Sequence, residues 1–250
     1  MPAVPVWIFP SFFLTAALYA LIGFGGGSSY LALLSFTALP LTQIVVIALF
    51  CNLIVAGGGV WHFAKAGLMR PRLMWPFLIA SVPAAYFGGL MKTDDDVQRG
   101  ALGICLLFVA LRIWLEEATV RRTVREAAGA VFLASALLIG AGLGFLSGYL
   151  GIGGGIFLSP VLILAGWADV KESSGVAAVF ILLNSAAGLL ARGNFIQAYG
   201  SEWLMLGAVV FVGGQLGSRV AVRRLPRPLM QKILAGFISL ASVRLIWAAL

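Results

Sequence analysis

The residues best placed to do chemistry are two glycine clusters set in apolar sequence, Gly23-Phe24-Gly25-Gly26-Gly27 and Gly151-Ile152-Gly153-Gly154-Gly155. Glycine costs about 1 kcal/mol relative to alanine inside a helix, so such a run needs a purpose. One purpose is close helix packing through small residues. The other is a deliberate break, which lets the backbone leave helical geometry where it lies against protein or a wet cavity. A helix that restarts after the break presents free N–H groups and the positive end of its dipole, which together make an anion site. The expected donors are the backbone N–H groups around Gly25, Gly26 and Gly27 and around Gly153, Gly154 and Gly155.

Nearby side chains extend that set. Ser28, Ser29 and Tyr30 follow the first break and add hydroxyls. Ile156, Phe157, Leu158, Ser159 and Pro160 follow the second, so the first copy is the more polar half. Asn52 and Asn184 hold matching places in the next apolar run of each half, with Ser185 beside the second. A lone Asn in a membrane helix is often glue between helices, and two at equivalent positions set a substrate role level with that one. Gln215, Ser147 and Tyr149 are secondary candidates. His62 is of a type that can carry a proton, and Lys65 at the end of its run reads as a snorkelling side chain.

The same inventory excludes other chemistries. Every Asp and Glu falls in a connector or at the end of an apolar run. No carboxylate therefore stands at mid-membrane, where proton and cation relays show themselves. Cys51 and Cys105 lie singly in apolar runs with no CxxC spacing, so no metal site, thiol relay or other cofactor is expected. One His and no intramembrane carboxylate leave no acid–base pair for an enzyme.

The elements that position these residues are read from hydropathy. Of the 250 residues 61% are apolar and only 10% charged, where a soluble domain runs at about 45–50% and about 25%. With so few polar groups to cover a surface in water, the chain is expected to be an all-α integral membrane protein. The apolar runs are 6–22, 28–39, 42–64, 73–90, 100–115, 129–150, 156–167, 173–191, 203–222 and 229–250. A spanning helix needs roughly 20 such residues, so the runs at 28–39 and 156–167 are short half-helices, each starting at a glycine cluster. No Lys or Arg precedes Trp7, so the first run reads as a retained helix rather than a signal peptide. A net charge of +8 would suggest nucleic acid in a soluble protein. Here the basic residues sit in short connectors, the topological mark of a membrane protein, and nucleic acid is not an expected partner.

The chain also repeats itself. Gly151 lies 128 residues after Gly23, Asn184 lies 132 after Asn52, and Gln231-Lys232 lies 133 after Gln98-Arg99. Residues 1–120 and 128–250 therefore read as two copies of one unit of about five segments, joined by the charged stretch from Glu116 to Glu126. With Arg121, Arg122 and Arg125 placed inside and each run counted as a crossing, Lys65, Arg70, Arg72, Arg219, Arg223, Arg224 and Arg227 also fall inside. Lys92, Arg99 and Arg192 fall outside, so the positive-inside rule is met. Five crossings per copy give the copies opposite orientation, the sequence signature of an inverted-repeat transporter.

The spaced pair of G-x-G-G-G clusters at 23–27 and 151–155 resembles the sulfite exporter TauE/SafE family of membrane permeases. So does the continuation of the second cluster as Ile156-Phe157-Leu158-Ser159-Pro160-Val161-Leu162. The resemblance covers nearly the whole chain, with Ala32 standing in the first copy where the second has Pro160. It implies a polytopic permease for small sulfur-containing anions such as sulfite or sulfonates, or related organic anions. The expectation is thus a secondary transporter of small anions working by alternating access. The anion would be held by Gly25, Gly26, Gly27, Ser28, Ser29, Asn52, Gly153, Gly154, Gly155, Asn184 and Ser185. An anion channel and a non-transporting assembly subunit are the alternatives. The expected setting is a bacterial-type inner membrane, crossed several times, with the bilayer as partner and a homo-oligomer compatible with the sequence.

Overall fold

The computed structural model describes residues 5–114, 128–193 and 201–221, with scattered positions from 236 to 249. The charged link with Arg121, Arg122 and Arg125, the residues Arg223, Arg224 and Arg227, the Gln231-Lys232 pair and much of the last apolar run lie outside the described residues. What is described is helical, with no strand: α1 (Ile8–Ile22), α2 (Gly27–Leu34), α3 (Leu41–Lys65), α4 (Pro71–Leu90), α5 (Asp95–Trp114), α6 (Ala130–Leu150), α7 (Gly155–Leu164), α8 (Val170–Ala191) and α9 (Ser201–Ala221).

The chain is a multi-pass membrane protein. Four helices, Leu41–Lys65, Pro71–Leu90, Ala130–Leu150 and Lys171–Ala191, are long and apolar enough to cross a bilayer. Ile79, Phe87, Leu138 and Leu204 project outward from the bundle. Large exposed apolar side chains on successive helices suit lipid and not water. The short helices α2 and α7, of 8 and 10 residues, reach only about 12 and about 15 Å at ~1.5 Å per residue, roughly half the ~30 Å hydrocarbon core.

Several boundaries differ from the apolar runs, each for a polar reason that hydropathy ignores. Helix α8 begins at Val170 rather than 173 because Asp169 caps it. The Asp169 carboxylate accepts from the N–H groups of Lys171 and Glu172, and Glu172 reaches back to the Asp169 N–H. Helix α5 begins at Asp95, five residues ahead of its apolar run, with Asp95 and Asp96 in its first turn. Carboxylates there meet the positive end of the helix dipole, and Arg99 pairs with both. Helices α2 and α7 stop at Leu34 and Leu164, short of the expected 39 and 167. The residues beyond form turns, in which Ser35 and Thr37 bond back to the carbonyls of Ala32 and Leu34.

Glycine decides which helices meet. A Cβ at Gly140, Gly144 or Gly148 of α6 would strike the carbonyl of Phe77, Ser81 or Ala85 of α4. A Cβ at Gly213 or Gly217 of α9 would strike that of Phe13 or Ala17 of α1. Spacing of four residues keeps each stripe on one helix face, and backbones approach this closely only through small residues. These contacts fix directions. Helix α6 runs parallel to α4, and so does α8, whose Gly175 lies by Leu68 and whose Gly188 and Ala191 lie by Gly89. Helix α9 runs parallel to α1 and to α3, where Gly207 meets Phe50 and Ile54 and Gln215 meets Gly58. Helices α3 and α8 are antiparallel, with Leu49 near Gly188 and Gly57 near Leu182. The trio α1, α3 and α9 thus opposes the trio α4, α6 and α8, and the two join along α3 and α8.

Candidate functional site

Both glycine clusters break the chain as their composition demands. Gly23, Gly26, Gly151, Gly153 and Gly154 have positive φ, which turns α1 back into α2 and α6 back into α7. Helix α7 runs back along α8, since Gly155 lies against Ile181 and Ala177 while the Ser159 hydroxyl bonds that of Ser173. Its first residue is therefore level with the middle of α8, and the same holds for α2, where Gly25 and Gly27 lie against Asn52 in the middle of α3. Two helix N-termini thus begin at mid-depth in the bundle.

The two breaks meet. A Cβ on Gly27 would fall 2.6 Å from the carbonyl oxygen of Ile152. The side chain of Asn52 lies between them: a Cβ on Gly25 or Gly27 would strike its amide, and one on Gly153 would lie 2.7 Å from its Nδ2. Asn52 Nδ2 donates to the Ile152 carbonyl at 3.3 Å. Ile181 of α8 closes the other side, touching Gly25, Gly153 and Gly155.

Neither half-helix has a side-chain cap. In α2 the N–H groups of Ser29 and Tyr30 bond the Gly26 carbonyl, and in α7 those of Phe157 and Leu158 bond the Gly154 carbonyl. The first N–H groups of each helix, at Gly27 and Ser28 and at Gly155 and Ile156, are the ones that helical geometry leaves without an intrahelical acceptor.

The helices that meet at these ends carry buried polar atoms with no hydrogen-bond partner in the protein. They are Asn52 Oδ1, both amide atoms of Asn184, the hydroxyl of Ser185, the hydroxyl of Ser147 and that of Tyr30. Asn52, Asn184 and Ser185 are fully buried and Ser147 nearly so. An unmet buried polar atom costs about 1–3 kcal/mol, and such atoms call for a functional explanation. Asn184 and Ser185 lie on α8 between Ile181, which faces the breaks, and Gly188, which faces α6 at Gly148. Residues three and four apart share a helix face. Ser147 adjoins Gly154, and the Tyr30 ring lies against Gly26 and stacks on Phe12 at 4.6 Å.

Gly25, Gly27, Gly153 and Asn52 therefore come together, Gly155 stands beside them on Ile181, and Gly26 and Gly154 turn the chain behind them. Ser28 and Ser29 are placed differently. Both hydroxyls bond Tyr19 of α1, Ser29 donating at 2.9 Å and Ser28 lying 3.0 Å away, so their oxygens hold α2 to α1. Of the secondary candidates, Gln215 of α9 bonds His62 Nε2 at 2.9 Å, away from the breaks. Tyr149 contributes its carbonyl. That carbonyl accepts from Gln98 of α5 at 2.8 Å and from Arg192 at 3.2 Å. Lys65 lies over the exposed ring of Trp61 at 4.5 Å, an interfacial position.

Sequence reasoning missed Tyr19, Ile152, Ile181 and the inward turn of Arg192. One signal could have found the first: Tyr19 and Ser147 are 128 residues apart, the spacing of the glycine clusters, and each precedes its break by four residues. Arg192 gave no such signal. It reads as an ordinary connector cation, yet it donates to the carbonyls of Gly188 and Gly148 at 2.8 and 2.7 Å.

The family model for sulfite exporter TauE/SafE matches residues 8–245. A probable membrane transporter protein of Sinorhizobium fredii is 30% identical over 246 residues, which cover 95% of this chain and 96% of that one. A second probable membrane transporter protein, from Sinorhizobium sp, is 24% identical over 224 residues, covering 87% of this chain and 83% of the relative. No solved structure gives a significant match.

Proposed function

The chain belongs to the sulfite exporter TauE/SafE family of membrane transporters, and from that premise we propose that it is a secondary transporter of small anions, sulfite, sulfonates or related organic anions, working by alternating access. The observation that carries this reading is the meeting of the two half-helix N-termini at Asn52, among buried polar atoms that no protein group satisfies. Helix N-termini favour negative charge, and broken helices that meet at mid-membrane are where transporters hold substrate. The substrate would lie against the N–H groups of Gly27, Ser28, Gly155 and Ile156, with Asn52, Asn184 and Ser185 as side-chain partners.

Residues 1–120 and 128–250 are read as two inverted repeats. The opposed helix trios support that reading, because α1 and α3 of the first half run against α6 and α8 of the second. A rocking of one half against the other would open the site to each side in turn. A channel would use the same donors, but it needs a standing water path, and the burial of Asn52, Asn184 and Ser185 favours an occluded carrier.

The test is binding and flux. Purified protein would be screened by thermal shift against small oxyanions and carboxylates, since a ligand that binds the folded state raises its stability. Saturable uptake into proteoliposomes, lost in Asn52→Ala, would support the reading. No stabilisation by any anion would end it, and flux at channel-like rates would replace the carrier with a channel.

A further inference from the structure

We infer that the site selects anions by charge as well as by size, accepting a singly charged oxyanion and rejecting a doubly charged one. The inference rests on the proposed anion site and goes beyond it, since it names the charge state carried.

It begins with what the surrounding elements lack. The sequence has no Asp, Glu, Lys or Arg before Lys65, and none between Glu126 and Asp169. Helices α1, α2, α6 and α7 therefore bring no charged side chain to the breaks. Helix α3 carries none before His62 and Lys65 in its last turn. Helix α8 carries Lys171 and Glu172 in its first turn and none from there to its end. Among the described residues, the side chains nearest the break glycines, Asn52, Ile181, Tyr30, Ser147 and Phe180 with them, are neutral. Arg192, beyond the end of α8, is committed to the carbonyls of Gly188, Gly148 and Tyr149. Two of those lie at the negative end of α6, where a cation is already offset.

The positive charge that the described residues offer there is thus that of two helix N-termini, each equivalent to about half an elementary charge. Together they balance about one unit. Asn52 Oδ1 and the amide atoms of Asn184 are buried and unpartnered, so they add dipoles without net charge. A monoanion entering this space is neutralised. A dianion keeps one uncompensated charge away from water, and burial of an unpaired charge is heavily penalised. Among sulfur oxyanions the rule admits hydrogensulfite and sulfonates and excludes sulfite in its fully deprotonated form and sulfate.

The experiment compares charge at nearly constant shape by calorimetric titration of the purified full chain. Methanesulfonate is tetrahedral and singly charged at all working pH values, and sulfate is its doubly charged counterpart. Sulfite changes from one charge to two near neutrality. Methanesulfonate should bind at least about tenfold more tightly than sulfate, a factor of ten being about 1.4 kcal/mol. Sulfite should weaken as pH rises through its second ionisation, while methanesulfonate stays constant over the same range. The methanesulfonate series also controls for the titratable side chains on the helices packed around the breaks, namely Tyr19, Tyr30, Cys51, His62, Lys65, Tyr149, Lys171 and Glu172. Sulfate binding as tightly as methanesulfonate, or sulfite affinity independent of pH, overturns the charge rule and leaves the anion site standing. Absence of binding by all three, in either charge state, overturns both.

Discussion

Asn52 and Ile152 are 100 residues apart in sequence, and the side-chain amide of the first donates to the backbone carbonyl of the second at 3.3 Å. The contact joins the middle of α3 to the second glycine break, and the same amide lies against Gly25 and Gly27 of the first. One neutral side chain therefore sets the separation of two helix N-termini. Its Oδ1 remains uncommitted, so it can position the breaks and still meet a ligand.

The two asparagines should respond differently to truncation. Asn52→Ala loses the Ile152 bond and should lower both stability, by about 1 kcal/mol, and anion affinity, by about tenfold or more. Asn184→Ala removes a fully buried amide with no partner in the protein, so folded yield should stay near wild type while transport falls. Yield and flux measured together on both variants check this. A fall in Asn184→Ala yield as large as its fall in flux would make that residue structural.

Glycine substitutions can separate backbone strain from close approach. Gly26 and Gly154 have φ of +91° and +73°, so any side chain there strains the turn, by about 1 kcal/mol or more. Gly27 has no such φ, and its added methyl would meet Asn52 and Ile152. Gly27→Ala should push the breaks apart and weaken anion binding with modest loss of stability. Gly142 in α6 has nothing within 4 Å of an added Cβ, and Gly142→Ala should be neutral or stabilising by up to about 1 kcal/mol. Gly207 lies against Ile54 and Phe50 and is the poorer control. Melting temperatures and dissociation constants of Gly26→Ala, Gly27→Ala and Gly142→Ala decide the matter. Unchanged affinity in folded Gly27→Ala would remove the close approach from the site.

Arg192 should be a stability residue whose shape matters. It bonds the Gly188 carbonyl of its own helix and ties α8 to the end of α6 through the carbonyls of Gly148 and Tyr149, with Gly89 of α4 packed against its guanidinium. Hydrogen bonds from a charged donor are worth about 1.5–3 kcal/mol each. Arg192→Ala should lower the melting temperature markedly. Arg192→Lys should recover only part of it, because an ammonium cannot reach several carbonyls in one plane. Equal melting temperatures for the Lys variant and wild type would mean that charge alone suffices.

Arg70 and Arg192 should face opposite sides of the membrane. Arg70 pairs with Glu172 in the first turn of α8 at 3.2 Å, and Arg192 caps that helix at its far end. The 22 residues between extend about 33 Å at ~1.5 Å per residue, enough to cross the hydrocarbon core. Single cysteines placed beside each, labelled with an impermeant reagent in sealed vesicles, should react from different sides. Labelling of both from the same side would defeat the topology.

What the sequence by itself determined is what depends on local composition. Apolar runs of spanning length, two half-length runs, and glycine clusters that release the backbone at Gly26 and Gly154 are legible because hydropathy and φ preference are properties of neighbouring residues. The near-constant spacing between Asn52 and Asn184 is also a property of the sequence alone. The tertiary structure alone decided which surfaces meet. Gly144 gains its role from Ser81 and Gly217 from Ala17, partners whose identity depends on helix direction and register. Tyr19 reaches Ser28 and Ser29 only because the chain reverses at the break, and Arg192 turns inward only because α6 ends beside it. Asn52 becomes the meeting point of both breaks, while Asn184 keeps its amide unpaired. That asymmetry between matched residues arises from side-chain packing across the bundle, and no repeat read along one chain carries it.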